Sequence, residues 1–175
     1  MSRQTLWVLA GIAAVVGGLI DLVGPLLYPH LVEPARQGVY VLIDVLLLFG
    51  LLGLQSAAGR QLGWPGLAGF VVAVTAVLLV RSSATQFLGP QTYLIAASLW
   101  SAGMVMMSAC LLLSRAPFRT PAFLWIAALG IGLAGLILKE QGLAHRLATS
   151  CFALAWIALG VQLVRQGRSI PGDNP

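Results

Sequence analysis

The chain has 175 residues, of which 59% are hydrophobic and only 9% charged, and its mean hydropathy is +0.93. A water-soluble domain carries about 25% charged residues to solvate its surface, so most of this surface must face lipid. The net charge of +5 does not indicate nucleic acid, because the bases stand singly between apolar runs instead of gathering on one face. The two cysteines form no CxxC, zinc spacing or disulfide framework.

The first apolar segment runs from Leu6 to Leu27. At about 22 residues without a convincing cleavage site, it suits a retained helix better than a signal peptide. Ala10, Ala14, Gly17 and Gly18 fall three, four and seven residues apart. They predict one small-residue stripe for close helix packing, and Asp21 continues that stripe into the bundle.

Tyr28-Pro29-His30 and Glu33-Pro34 break the chain before the second segment, Val39–Ala57. Asp44 lies in that segment with Tyr40 one turn away on the same face. Gly59 to Gly66 form the next connector, and the short third segment, Leu67–Val80, borrows Trp64 and Pro65 to reach across. Arg81 ends it, and the polar loop of Ser82 to Gln86 follows.

The fourth segment, Tyr93–Leu113, carries Ser98, Ser101 and Ser108, a packing seam whose hydroxyls bond to the preceding turn. Cys110 lies near the end of this segment and Cys151 near the start of the sixth, at opposite faces of an up-down bundle. The fifth and sixth segments are Ala122–Leu138 and Leu147–Val164. The expected architecture is therefore an all-α bundle of six transmembrane helices over residues 1–165, with a short polar tail at 166–175. Five spans with one re-entrant segment is the alternative.

Trp7, Trp64 and Trp125 each open an odd-numbered segment. Leu52-Gly53-Leu54-Gln55 also echoes Leu159-Gly160-Val161-Gln162. These matches are compatible with three tandem hairpins, although an apolar alphabet produces them by chance and interfacial tryptophan is expected anyway.

Six arginines (3, 60, 115, 119, 165 and 168) fall on the side of the N-terminus, against Arg36, Arg81, Lys139 and Arg146 on the other. The bias puts both termini in the cytoplasm, and the expected location is the cell (inner) membrane. Asp21, Glu33, Asp44 and Glu140 all fall in or near the outer half, with His30 and His145.

Asp21 lies roughly 10 Å below the outer end of its helix at 1.5 Å per residue, and Asp44 lies at nearly the same depth on the next. A carboxylate costs about 2.5–3.5 kcal/mol near a helix centre, so two at one level suggest a shared pocket. Asp21 and Asp44 are the expected ligand or proton-binding groups, with Tyr40, Arg81 and Gln86 in support. The competing reading is an ion pair of Arg81 with an aspartate that only fixes helix register.

No P-loop, GxSxG or HExxH is present. Two histidines in connectors make a weak metal or haem site, so no catalytic residue, metal or cofactor is assigned.

In length and helix count the chain resembles the substrate-binding membrane components of energy-coupling-factor vitamin importers. Ala10 and Ala14 match the Ala-xxx-Ala feature by which those six-helix proteins dock a partner. The resemblance implies a ligand site near the outer face, and it covers architecture and that one tetrad. The chain is equally similar to many small six-pass proteins of bacterial membranes.

The expected function is an outward-facing polar pocket that binds or conducts a small solute or proton. The alternatives are an accessory or scaffold subunit, docking a membrane-protein partner or a second copy through its small-residue stripes, and an enzyme acting on a lipid-borne substrate.

Overall fold

The computed structural model describes residues 2–81, 89–114 and 116–169. Gln86 and its loop, Arg115 and the segment 170–175 lie outside them. Among the described residues the secondary structure is helical throughout. It comprises α1 (Arg3–Leu27), a 3-10 turn (Tyr28–His30), α2 (Glu33–Arg81), α3 (Thr92–Leu113), α4 (Arg119–Leu138) and α5 (Gln141–Ser169). All five α-helices contain stretches long and apolar enough to cross a membrane.

Five helices stand where six were expected, because the second and third apolar segments share one helical element. α2 is 49 residues long and departs from helical geometry only at Gly63, with φ 60° and ψ −164°. That region of backbone space is open essentially to glycine alone, and Pro65 inside the helix removes one of the donors that would carry it straight on. The connector expected at Gly59 to Gly66 is thus a single-residue corner.

The corner reverses the chain. Asp44 and Arg81 lie 19 residues before and 18 residues after Gly63, yet their side chains form an ion pair. Two limbs of roughly 28 Å each can meet at their far ends only by doubling back.

Small residues set the helix spacing. A Cβ on Gly50 would lie 2.9 Å from Ala14 Cβ, and one on Gly53 would collide with Ala10 Cβ, so α1 and the first limb of α2 pack backbone to backbone. On another face of α1, a Cβ on Gly11 would sit 2.7 Å from the Gly160 carbonyl oxygen, and one on Gly18 would sit 2.9 Å from that of Ala153, both on α5. The second limb of α2 meets α3 in the same way, at Gly69 and Gly103. Every one of these seams is antiparallel, and each uses small residues where lipid offers no hydrophobic drive for association.

Ala10 and Ala14 are fully buried, and Gly17 and Gly18 are buried as well. The stripe is therefore filled by this chain's own α2 and α5. The docking role that the importer resemblance implied for Ala10 and Ala14 has no exposed surface to act through.

The centre is aromatic. Trp156 is fully buried and meets Trp125 edge-on at 5.2 Å, Phe152 edge-on at 6.0 Å and Trp100 stacked at 6.3 Å between ring centroids. The three tryptophans that suggested a repeat have unlike surroundings. Trp7 Nε1 donates to Ser56 Oγ at 3.1 Å, Trp64 is 84% exposed, and Trp125 is 3% exposed within this core.

The two ends of the bundle differ in charge. Arg3, Arg60, Arg119, Arg165 and Arg168 lie at the end shared by the N-terminus and the Gly63 corner. The four described acids, Asp21, Glu33, Asp44 and Glu140, lie toward the other.

Candidate functional site

At the mixed-charge end the helices part around a cavity of about 1200 Å³. This is somewhat larger than the roughly 300–1,000 Å³ usual for small-molecule sites. Asp21, Tyr40, Asp44 and Arg81 all line it. Of the residues expected at the site, only Gln86 is not placed there, being outside the described residues.

The two aspartates are not equivalent. Arg81 Nε donates to Asp44 Oδ2, closing the α2 hairpin at its open end, and the Arg81 guanidinium also lies 5.7 Å from the centroid of the Tyr40 ring. The pair is half-shielded, with side chains 32% and 21% exposed. Asp21 stands within electrostatic reach of Asp44 and of Tyr28, but it has no ion-pair partner among the described residues. The ion pair with Arg81 therefore takes Asp44 and leaves the Asp21 carboxylate to the cavity.

All three tyrosines of the chain, Tyr28, Tyr40 and Tyr93, line the same space. Tyr28 and Tyr40 meet edge-on with centroids 4.8 Å apart. Gly24 makes this possible: a Cβ there would collide with the Tyr28 ring, so glycine lets that ring fold back along α1.

The first turns of α5 add His145, Arg146 and Thr149 to the lining. Sequence reasoning placed the first two at the outer face but did not connect them to the aspartates. Only the packing of α5 against α1 brings them over Asp21. Thr149 is visible in hindsight, four residues after His145 on one helical face, with its hydroxyl donating to the His145 carbonyl at 2.9 Å.

His30 stays outside the cavity lining, as do the serines of α3. Ser101 Oγ donates to the Ala97 carbonyl at 2.9 Å, while Ser108 is fully buried without a hydrogen-bond partner for its hydroxyl among the described residues. Cys110 and Cys151 are free thiols. Among the described residues no three His, Cys, Asp or Glu side chains gather as a metal site.

The cavity has a floor. Its lining residues on α1 and the first limb of α2 reach only as deep as Asp21, Ile43 and Asp44. Gly50 and the Trp156 ring packed against it lie roughly 9 Å further toward the basic end. Chemically the site offers one carboxylate without an ion-pair partner, a set of aromatic faces, a neutralised Asp–Arg pair, and Arg146 with no ion-pair partner among the described residues.

No family model, curated protein or solved structure matches the chain.

Proposed function

We propose that this protein is a bacterial inner-membrane protein of six crossings, arranged as three successive hairpins. In this reading its cavity opens away from the cytoplasm and binds a small solute bearing a cationic group. The crossings are the five helices with α2 counted twice, since its Gly63 corner separates a limb of 30 residues (33–62) from one of 18 (64–81), each long enough for a span that takes roughly 17–25. The orientation follows the positive-inside bias: the described bases at the N-terminal end have no acids among them, so that end faces the cytoplasm.

One observation carries the functional reading: Asp21 projects into a large aromatic-lined cavity without an ion-pair partner among the described residues, while Asp44 beside it is neutralised by Arg81. Keeping a carboxylate uncompensated at this depth is costly, and a bound cation removes that cost. Tyrosine faces add cation–π attraction. Arg146 complements an anionic group at the solute's other end, which favours amphoteric molecules. The aromatic core beneath the cavity favours binding over conduction.

The test is thermal unfolding of the purified protein in detergent against a panel of small amines, amino acids, betaines and simple carboxylates. Saturable stabilisation by members carrying a cationic group, lost in Asp21→Asn, is the expected result. Stabilisation by carboxylates alone, or binding by Asp21→Asn as tight as by the native protein, refutes the proposal.

A further inference from the structure

At the opposite end, on the lipid-facing side of the α1–α5 seam, lies a second and smaller hollow of about 320 Å³, lined by Ile12, Val15 and Val16 of α1 and by Val161, Val164, Arg165 and Arg168 of α5. Its origin is local. Gly11 and Gly160 let the two backbones touch, and the flanking positions carry only short branched side chains, so a trough is left beside the contact. Positions 161, 164, 165 and 168 follow the three-and-four spacing of one helical face, as do 12, 15 and 16. The trough is apolar along its length and doubly cationic at its end. Arg165 and Arg168 are exposed, and neither has an ion-pair partner among the described residues.

We propose that this trough is a binding site for one anionic phospholipid of the leaflet at the basic end. An acyl chain lies along Ile12, Val16, Val161 and Val164, and the phosphate is held between Arg165 and Arg168. Charge complementarity selects the occupant. A phosphodiester accepts several hydrogen bonds from guanidinium donors, and basic pockets between membrane helices on the cytoplasmic side suit anionic head groups. A zwitterionic lipid offers the same chain but brings a cation against the two arginines. The inference rests on the bundle being embedded in lipid and is independent of the solute cavity.

The experiment is native mass spectrometry of the full chain released from nanodiscs of equal parts phosphatidylglycerol and phosphatidylcholine. The native protein is expected to retain one phosphatidylglycerol. Arg165→Gln/Arg168→Gln should lower that retention about twenty-five-fold, since each base near the surface is worth roughly fivefold. Arg60→Gln/Arg119→Gln, which removes the same charge from the same end, should keep most of it.

Val161→Phe, which fills the trough and leaves both arginines, should also release the lipid; each variant's unfolding temperature verifies that it is folded. Equal loss in the two double variants would mean a diffuse surface charge and overturn the site, as would no loss in either. Displacement by millimolar inorganic phosphate would mark a free-anion site and overturn the lipid assignment.

Discussion

The α1–α5 seam and the cavity are built on the same helices, and they solve opposite problems. Along the seam, Gly11, Gly18 and Gly160 remove every atom that could keep the backbones apart. At Asp21, seven residues beyond Ala14, α1 turns polar, and Tyr28 and Tyr40 line an open space instead, while Arg81 clasps Asp44 across the α2 hairpin. Close packing needs absent side chains, and a cavity needs large ones with partners of their own. A membrane helix can therefore change from structural to site-forming within two turns, simply by exchanging glycine and alanine for aspartate and tyrosine.

The sharpest way to break this contrast is to put bulk into the seam. Gly160→Leu drives a side chain into the Gly11 carbonyl and Val15, and overpacking of this kind costs about 1–3 kcal/mol or more. Unfolding in detergent should show the largest loss of any substitution considered, with no folded fraction that binds solute.

Arg81→Gln comes next. It leaves Asp44 without its cation and frees the open end of the α2 hairpin. Loss of one partner of a fully buried pair costs about 3–5 kcal/mol, and the partial exposure of this one lowers the expected cost to about 1–2 kcal/mol. Asp44→Asn/Arg81→Gln should recover part of that loss in a double-mutant cycle. Full additivity would show that the two side chains do not interact in the membrane.

Trp7→Phe tests the neighbouring contact between α1 and the first limb of α2. It removes the hydrogen bond to Ser56 and should cost about 0.5–1 kcal/mol. Asp21→Asn should not destabilise the fold at all, because no ion pair is lost and an uncompensated carboxylate is removed. It should nevertheless weaken solute binding at least about tenfold, a separation of stability from affinity that Asp44→Asn should not show.

Much of the fold was legible because apolar segments, prolines and small-residue spacing report directly on what lipid demands. That Asp21 and Asp44 would line one space was legible from their similar distances to the ends of their apolar runs, although α2 itself starts at Glu33, 11 residues before Asp44. Three things were not. The Gly63 corner is one residue long, so the expected connector had no loop to mark it and the helix count came out as five elements instead of six. The stripe at Ala10 and Ala14 specified a close neighbour but not whether that neighbour was α2 of the same chain or a separate protein. The contribution of His145, Arg146 and Thr149 depended on α5 returning beside α1, a long-range pairing that no local pattern encodes. Trp125 illustrates the same limit: a tryptophan near a helix end is expected at the interface, yet here it is drawn into the core by Trp156.

The central claim is that Asp21 lines a cavity accessible from the outer face, and thiol labelling tests it most directly. With Cys110 and Cys151 replaced by alanine, Asp21→Cys in intact cells should react with a membrane-impermeant maleimide, while Ala14→Cys, two turns deeper and packed against Gly50 of α2, should not. Labelling of Asp21→Cys only from the cytoplasmic side of inverted vesicles, or from neither side, would contradict the account.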